Sequence, residues 1–189
     1  MIPAVIVGTG VTLALLYGTG PKNVTSVKSQ TDGNTYMVQN LPNKQEACER
    51  MAKIRENLEK LVKMYKDDPA SMADPRVSIL VSRFNPNNFS ENDITADTTS
   101  YSENKGEKIV VCLRDKAPPH NFADENTVMF VLLHEMAHLM TTTIGHTPEF
   151  WANFKRILHD GVQCGIYTPV NYAHSPTNYC GMTITDSPI

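Results

Sequence analysis

Val131-Leu132-Leu133-His134-Glu135-Met136-Ala137-His138-Leu139-Met140 sets two histidines and a glutamate inside an apolar run. Residues four apart on a helix share a face, so His134 and His138 can grip one zinc ion together. Glu135, one step round the helix, then reaches a water on that metal. The neighbours Leu132, Leu133, Met136, Ala137, Leu139 and Met140 are uncharged, which predicts a buried helix. Burying two imidazoles and a carboxylate is costly unless they pair or coordinate a metal. The plain alternative is a core helix whose histidines are satisfied by hydrogen bonds. The dry, rigid setting favours a metal site, because burial strengthens the local field and fixes the ligands.

A third ligand must come from downstream. The metzincin pattern needs Gly at 141 and His at 144; this chain has Thr141 and Ile144, which excludes it. His146 follows in Ile144-Gly145-His146-Thr147-Pro148-Glu149-Phe150-Trp151. Gly145 allows a turn, and Thr147 is placed to cap a helix starting at Pro148. Phe150, Phe154, Ile157 and Leu158 would share one face of that helix. His146 thus sits just ahead of an anchored element, in a loop short enough to return to the metal. Glu149 is the rival third ligand, although the helix dipole also favours an acid in a first turn.

Three histidines leave a fourth zinc position for water, whose pKa falls to about 7 on the metal. Glu135 would take its proton as it attacks a peptide carbonyl and pass that proton to the leaving amine. The tetrahedral intermediate needs a donor opposite. Arg114, His120, Tyr167, Tyr172 and His174 are the candidates, and the residues alone do not choose among them.

A chain of 189 residues suits one domain with extensions. The net charge of -3 argues against nucleic acid as a partner. Residues 22–66 hold nine Lys/Arg against five Asp/Glu, and residues 67–189 hold eight against fifteen. The basic part reads as the solvated face of one helix. Cys48, Cys112, Cys164 and Cys180 show no CxxC spacing, which argues against a second zinc site. Cys112 reads as a small core residue, and Cys164 and Cys180 would pair only in an oxidising compartment. Reduced thiols are the expectation.

Residues 2–20 carry no charge, and Pro21 and Lys22 end the run. As a helix this stretch would span about 28 Å, close to a bilayer core. Gly10, Ala14 and Gly18 form a small-residue face suited to packing in lipid. A membrane anchor over residues 1–21 is the expectation, with Lys22 and Lys28 placing the rest on the cytoplasmic side.

Beyond it, Asp32-Gly33-Asn34 marks a hairpin between Val24–Ser29 and Thr35–Val38. Asn43, with Glu46 three residues on, opens a helix whose core stripe runs Ala47, Met51, Ile54, Leu58, Leu61 and Tyr65. Asp67-Asp68-Pro69 stops it. Arg76–Phe84 reads as a strand on Val77, Ile79 and Val81, and residues 85–100 as a polar loop. Asn104-Lys105-Gly106 turns a second hairpin, whose later strand, Lys108 to Arg114, is expected to pair with an extended peptide substrate. Asp124 or Asn126 starts the metal helix. The tail, residues 165–189, is too aromatic for a disordered end and is expected to pack on the 22–164 domain. If it crosses the metal it would inhibit.

The motif His134-Glu135-Met136-Ala137-His138, the later Gly145-His146 and the pair Phe150-Trp151 resemble the SprT-like and WLM zinc metallopeptidases. That resemblance implies an α+β, zincin-like domain: a mixed or antiparallel sheet with the metal helix beside it, plus the N-terminal hydrophobic helix. It implies one zinc ion on His134, His138 and His146, with Glu135 as general base. Tyr36 to Ala47, Asn104-Lys105-Gly106, Cys112-Leu113-Arg114 and Tyr179 to Ile184 further resemble predicted metallopeptidases of large double-stranded DNA viruses. Wider relatives act on proteins crosslinked to DNA through added basic segments, which this chain lacks, so that substrate is not carried over.

The expectation is a membrane-anchored zinc endopeptidase acting on a protein or peptide substrate. The competing expectation is a structural virion component, partnered by capsid or virion membrane proteins. A zinc hydrolase of non-peptide amides is a third reading, which the substrate-pairing strand disfavours.

Overall fold

The computed structural model describes residues 23–189. The apolar run at 2–20, and with it the expected N-terminal helix, lies outside the described residues. Among those described, no helix is long and apolar enough to cross a membrane.

The first hairpin forms as its turn signal predicts: β1 (Val24–Lys28) pairs antiparallel with β2 (Thr35–Gln39). The 24-residue α1 (Lys44–Asp67) follows and packs on both strands. It buries the expected stripe from Ala47 to Tyr65. Asn43 stands at its N-cap but does not cap it; its side-chain oxygen accepts from the Arg114 guanidinium instead. Glu46 pairs with Arg50 one turn on.

Arg76–Phe84 is not a strand. Asp68 and Asp74 each precede a proline and accept the backbone N–H groups of the following turn, starting α2 (Pro69–Ala73) and α3 (Pro75–Arg83). The Asp-Pro start outweighs the alternation of Val77, Ile79 and Val81, and α3 buries Val77 and Leu80, one turn apart.

The segment expected to be loop contains β3 (Phe89–Glu91). With β4 (Tyr101–Glu103) and β5 (Lys108–Val111) it completes a five-stranded sheet of order β1-β2-β3-β5-β4. β3 runs parallel to β2 and β5, while β4 is antiparallel to β5, so the sheet is mixed. β3 escaped notice because its hold is polar. Buried Glu91 accepts from Arg114 at 2.8 Å and from the Gln39 N–H at 2.6 Å. β5 lies between β3 and β4, so both its edges are taken and it cannot add a substrate strand; β4 and β1 are the edge strands.

Asp124 caps α4 (Glu125–Met140), accepting from the Thr127 N–H at 2.8 Å. α4 lies against β4 and β5 on one side and between α3 and α5 (Pro148–Cys164). It is buried all round, as its unbroken apolar run requires. Gly161 on α5 lets the two helices approach closely, since a Cβ there would stand 2.9 Å from Leu133 Cδ1.

The tail packs back on the domain. Tyr167 and Tyr172 join Phe130 and Phe154 in an aromatic cluster. The hairpin of β6 (Thr177–Tyr179) and β7 (Met182–Ile184) is tied down by a Cys112–Cys180 disulfide. The expectation of reduced thiols, with Cys164–Cys180 as the alternative pair, is therefore corrected: Cys48 and Cys164 are the free, buried thiols. Tyr179 sets the pairing. Its buried hydroxyl meets Ser100 Oγ and the Cys112 carbonyl, each at 2.7 Å, which brings the adjacent Cys180 onto Cys112.

Candidate metal centre

Three imidazoles meet at the C-terminal half of α4. His134 Nε2 lies 3.2 Å from His138 Nε2 and 3.1 Å from His146 Nε2. One ligand atom from each histidine lies within 4.8 Å of the others. A cation held tetrahedrally by imidazole nitrogens at about 2.0–2.1 Å separates them by about 3.3 Å, so the observed spacing fits zinc well. Three nitrogen donors and no thiolate also suit zinc's preferences.

Aromatic rings hold the ligands. Phe150 stacks on His138 with centroids 4.3 Å apart, and lies 4.8 Å from His134 and 4.6 Å from His146. One side chain thus touches all three imidazoles. Phe154 meets His134 edge-on at 5.0 Å, and Trp151 lies 5.9 Å from His146. Burial in this shell pushes the pKa of His134 well below its ordinary value. Burial, followed by the charge of His146, lowers His138 to about 4. Both therefore remain neutral at pH 7, the form that coordinates a metal.

The loop carrying His146 is braced at both ends. Arg83 donates to the Leu139 carbonyl at 2.7 Å, one that the end of α4 leaves open, and Lys105 donates to the Thr142 carbonyl in the loop at 2.8 Å. Gly145 turns with φ +83°, a conformation that favours glycine. Thr147 Oγ1 then accepts from the Phe150 N–H at 3.3 Å and starts α5 as expected. Glu149 is engaged away from the metal. Its carboxylate accepts from the N–H groups of Thr142, at 2.9 Å, and Thr143, at 3.2 Å, and from both hydroxyls. Those hydrogen bonds lower its pKa to about 2. Glu149 closes the loop that presents His146.

Glu135 is buried, and its Oε2 accepts from Ser102 Oγ on β4 at 2.9 Å. Burial raises the carboxyl to about 7, against the opposing pull of the Ser102 hydrogen bond. A group that gains and loses its proton near neutral pH is what general base catalysis needs.

The five residues considered for stabilising the transition state are not gathered here. Arg114 is buried in its ion pair with Glu91 and lies over the Phe122 ring. His120 Nδ1 lies 3.0 Å from the Asp115 carbonyl. Tyr167 and Tyr172 belong to the aromatic cluster on Phe130, and His174 is exposed in a turn after Asn171. Neither the part of Ser102 nor the full role of Phe150 is legible in the sequence. Phe150 was legible as a core position; nothing in the spacing of Ser102 tied it to Glu135.

The WLM domain family model matches residues 30–174 of this chain. An uncharacterized protein, R325, of Acanthamoeba polyphaga mimivirus is 30% identical over 162 residues, covering 85% of this chain and 82% of that protein. Uncharacterized protein 136R of Invertebrate iridescent virus 6 is 31% identical over 112 residues, 59% of this chain and 62% of the relative. Uncharacterized protein 042R of Invertebrate iridescent virus 3 is 37% identical over 99 residues, 51% of this chain and 58% of the relative. No solved structure matches the chain.

Proposed function

This chain belongs to the WLM family, and from that membership we propose that it is a virus-encoded, zinc-dependent endopeptidase. The observation that carries the reading is the convergence of His134, His138 and His146 beside a buried Glu135 held by Ser102. Bound at the three imidazoles, zinc supplies Lewis acidity toward water and the substrate carbonyl. The chain's own groups do the rest. Ser102 orients the Glu135 carboxylate, which takes a proton from the attacking water and returns it to the leaving amine. Phe150 and Phe154 exclude bulk water from the histidines and hold their rings in place.

Strand β4 is the natural partner for substrate. It has one neighbour in the sheet, and the middle of its three residues, Ser102, touches Glu135. A peptide added along its outer edge would run past the carboxylate. In this reading residues 2–20 hold the domain at a membrane, supported by their uncharged, helix-length run. Alkaline extraction of membranes should leave the full chain in the pellet, and its release would refute the anchor.

Activity is tested by cleavage of an unfolded protein by the zinc-loaded chain, with Glu135→Gln alongside. We expect the variant to keep zinc and lose at least about a hundredfold in rate. Equal inertness of both zinc-loaded proteins would favour the structural virion reading, which the viral relatives also accommodate.

A further inference from the structure

The face of α4 that presents His134 also walls a solvent-open apolar recess. Phe130 and Val131 line it from α4, Trp151 and Phe154 from α5, and Met182 and Ile184 from β7. His134 is part of the same wall, so the recess abuts one of the three imidazoles of the metal centre. Thr99, two residues before the edge strand β4, lines another side.

The β7 wall is firmly placed. Its hairpin partner residue Tyr179 is fully buried and bonded to Ser100 and Cys112, and Cys180 is bridged to Cys112. Tyr179 pairs with Met182, and Thr177 with Ile184, so the fixed strand sets the position of the one facing the recess. This wall lies beyond residues 30–174, the span shared with the family.

We propose that the recess is a side-chain specificity pocket for an apolar residue, in the leucine to phenylalanine range, flanking the bond to be cleaved, with the C-terminal strand β7 as its selective wall. The proposal rests on the peptidase reading. A peptide paired along β4 passes Thr99 at one end and Ser102 with Glu135 in its middle. Its side chains alternate between faces, so one adjoining the reacting carbonyl is directed beside His134, where the recess opens. The lining offers that side chain apolar contacts and no buried charge; Asp186, the one acid at the recess, is exposed.

Binding of hydroxamates to the zinc-loaded full chain tests this without turnover. Trp151, the single tryptophan, lines the recess and reports its occupancy by fluorescence. Peptide-like hydroxamates with an isobutyl or benzyl side chain should bind at least about tenfold tighter than the methyl analogue, the size expected for burying such a group. Val131→Phe, which fills the recess, should erase that gradient while the protein keeps its zinc. Met182→Ala, which widens it, should move the preference from isobutyl toward benzyl, and serves alone if Val131→Phe does not fold. Equal affinity for all side chains, with hydroxamate still bound, would overturn the pocket and leave the metal centre standing. Failure of every hydroxamate to bind, acetohydroxamate included, would overturn the metal centre and the pocket with it.

Discussion

Glu149 shows how one residue's type can mislead while its position informs. An acid three residues after His146 is a reasonable zinc ligand by chemistry. In the structure its carboxylate is instead saturated by two N–H groups and two hydroxyls of Thr142 and Thr143. It therefore governs the metal indirectly, by closing the loop that delivers His146. Glu149→Ala should weaken zinc affinity about 10- to 100-fold, the cost of losing a group that orients a ligand. Competition with a chelating dye would measure this, and an unchanged affinity would show that Glu149 has no part in holding the metal. The metal-binding histidines and Glu135 were legible because their types and spacing carry the chemistry directly. Ser102 was not, because a serine on a short strand gives no sign of what faces it across 33 residues of chain.

Among the elements, those built on apolar periodicity were legible and those started or held by polar contacts were not. The α1 stripe and the two hairpins follow from hydrophobic spacing and turn residues. α3 has the alternation of a strand but Asp74-Pro75 decides its start, and β3 lacks an apolar signal because Glu91, Arg114 and Gln39 hold it. Asp74 carries a further consequence. It caps α3 and pairs with both Arg76 and Arg156, and the bonds from Arg76 lead in driving its pKa well below the ordinary carboxylate range. The folded state thus binds this proton less readily than the unfolded chain. Its contribution is present in full above the unfolded value near pH 4 and is lost as the pH falls through the folded value. Asp74→Asn should lower stability at pH 7 by about 1 kcal/mol and flatten the acid limb of a denaturation series. An acid limb as steep as in the parent would show that other carboxylates control it.

For the molecule as a whole, the apolar mass around α4 was readable, but the closure of the tail over it was not. Cys112 and Cys180 lie 68 residues apart with no spacing signal between them. What joins them is the burial of Tyr179, visible only once the sheet is formed. A bridge closing a loop of that length stabilises the fold by about 4 kcal/mol, chiefly by restricting the unfolded chain. Cys180→Ser should lose a stabilisation of about that size in denaturant titrations, whereas Cys164→Ser should keep the bridge. Peptide mapping under non-reducing conditions checks the pairing, and a Cys164–Cys180 fragment would refute it.

The proposed activity depends on the three imidazoles acting as one cation site, and the metal content of the purified full chain is the plainest check of it. We expect one zinc per chain, lost by dialysis in His146→Ala while the variant's circular dichroism still reports α4 and α5. Zinc retained undiminished by that variant, or no zinc taken up by the parent chain, would contradict it.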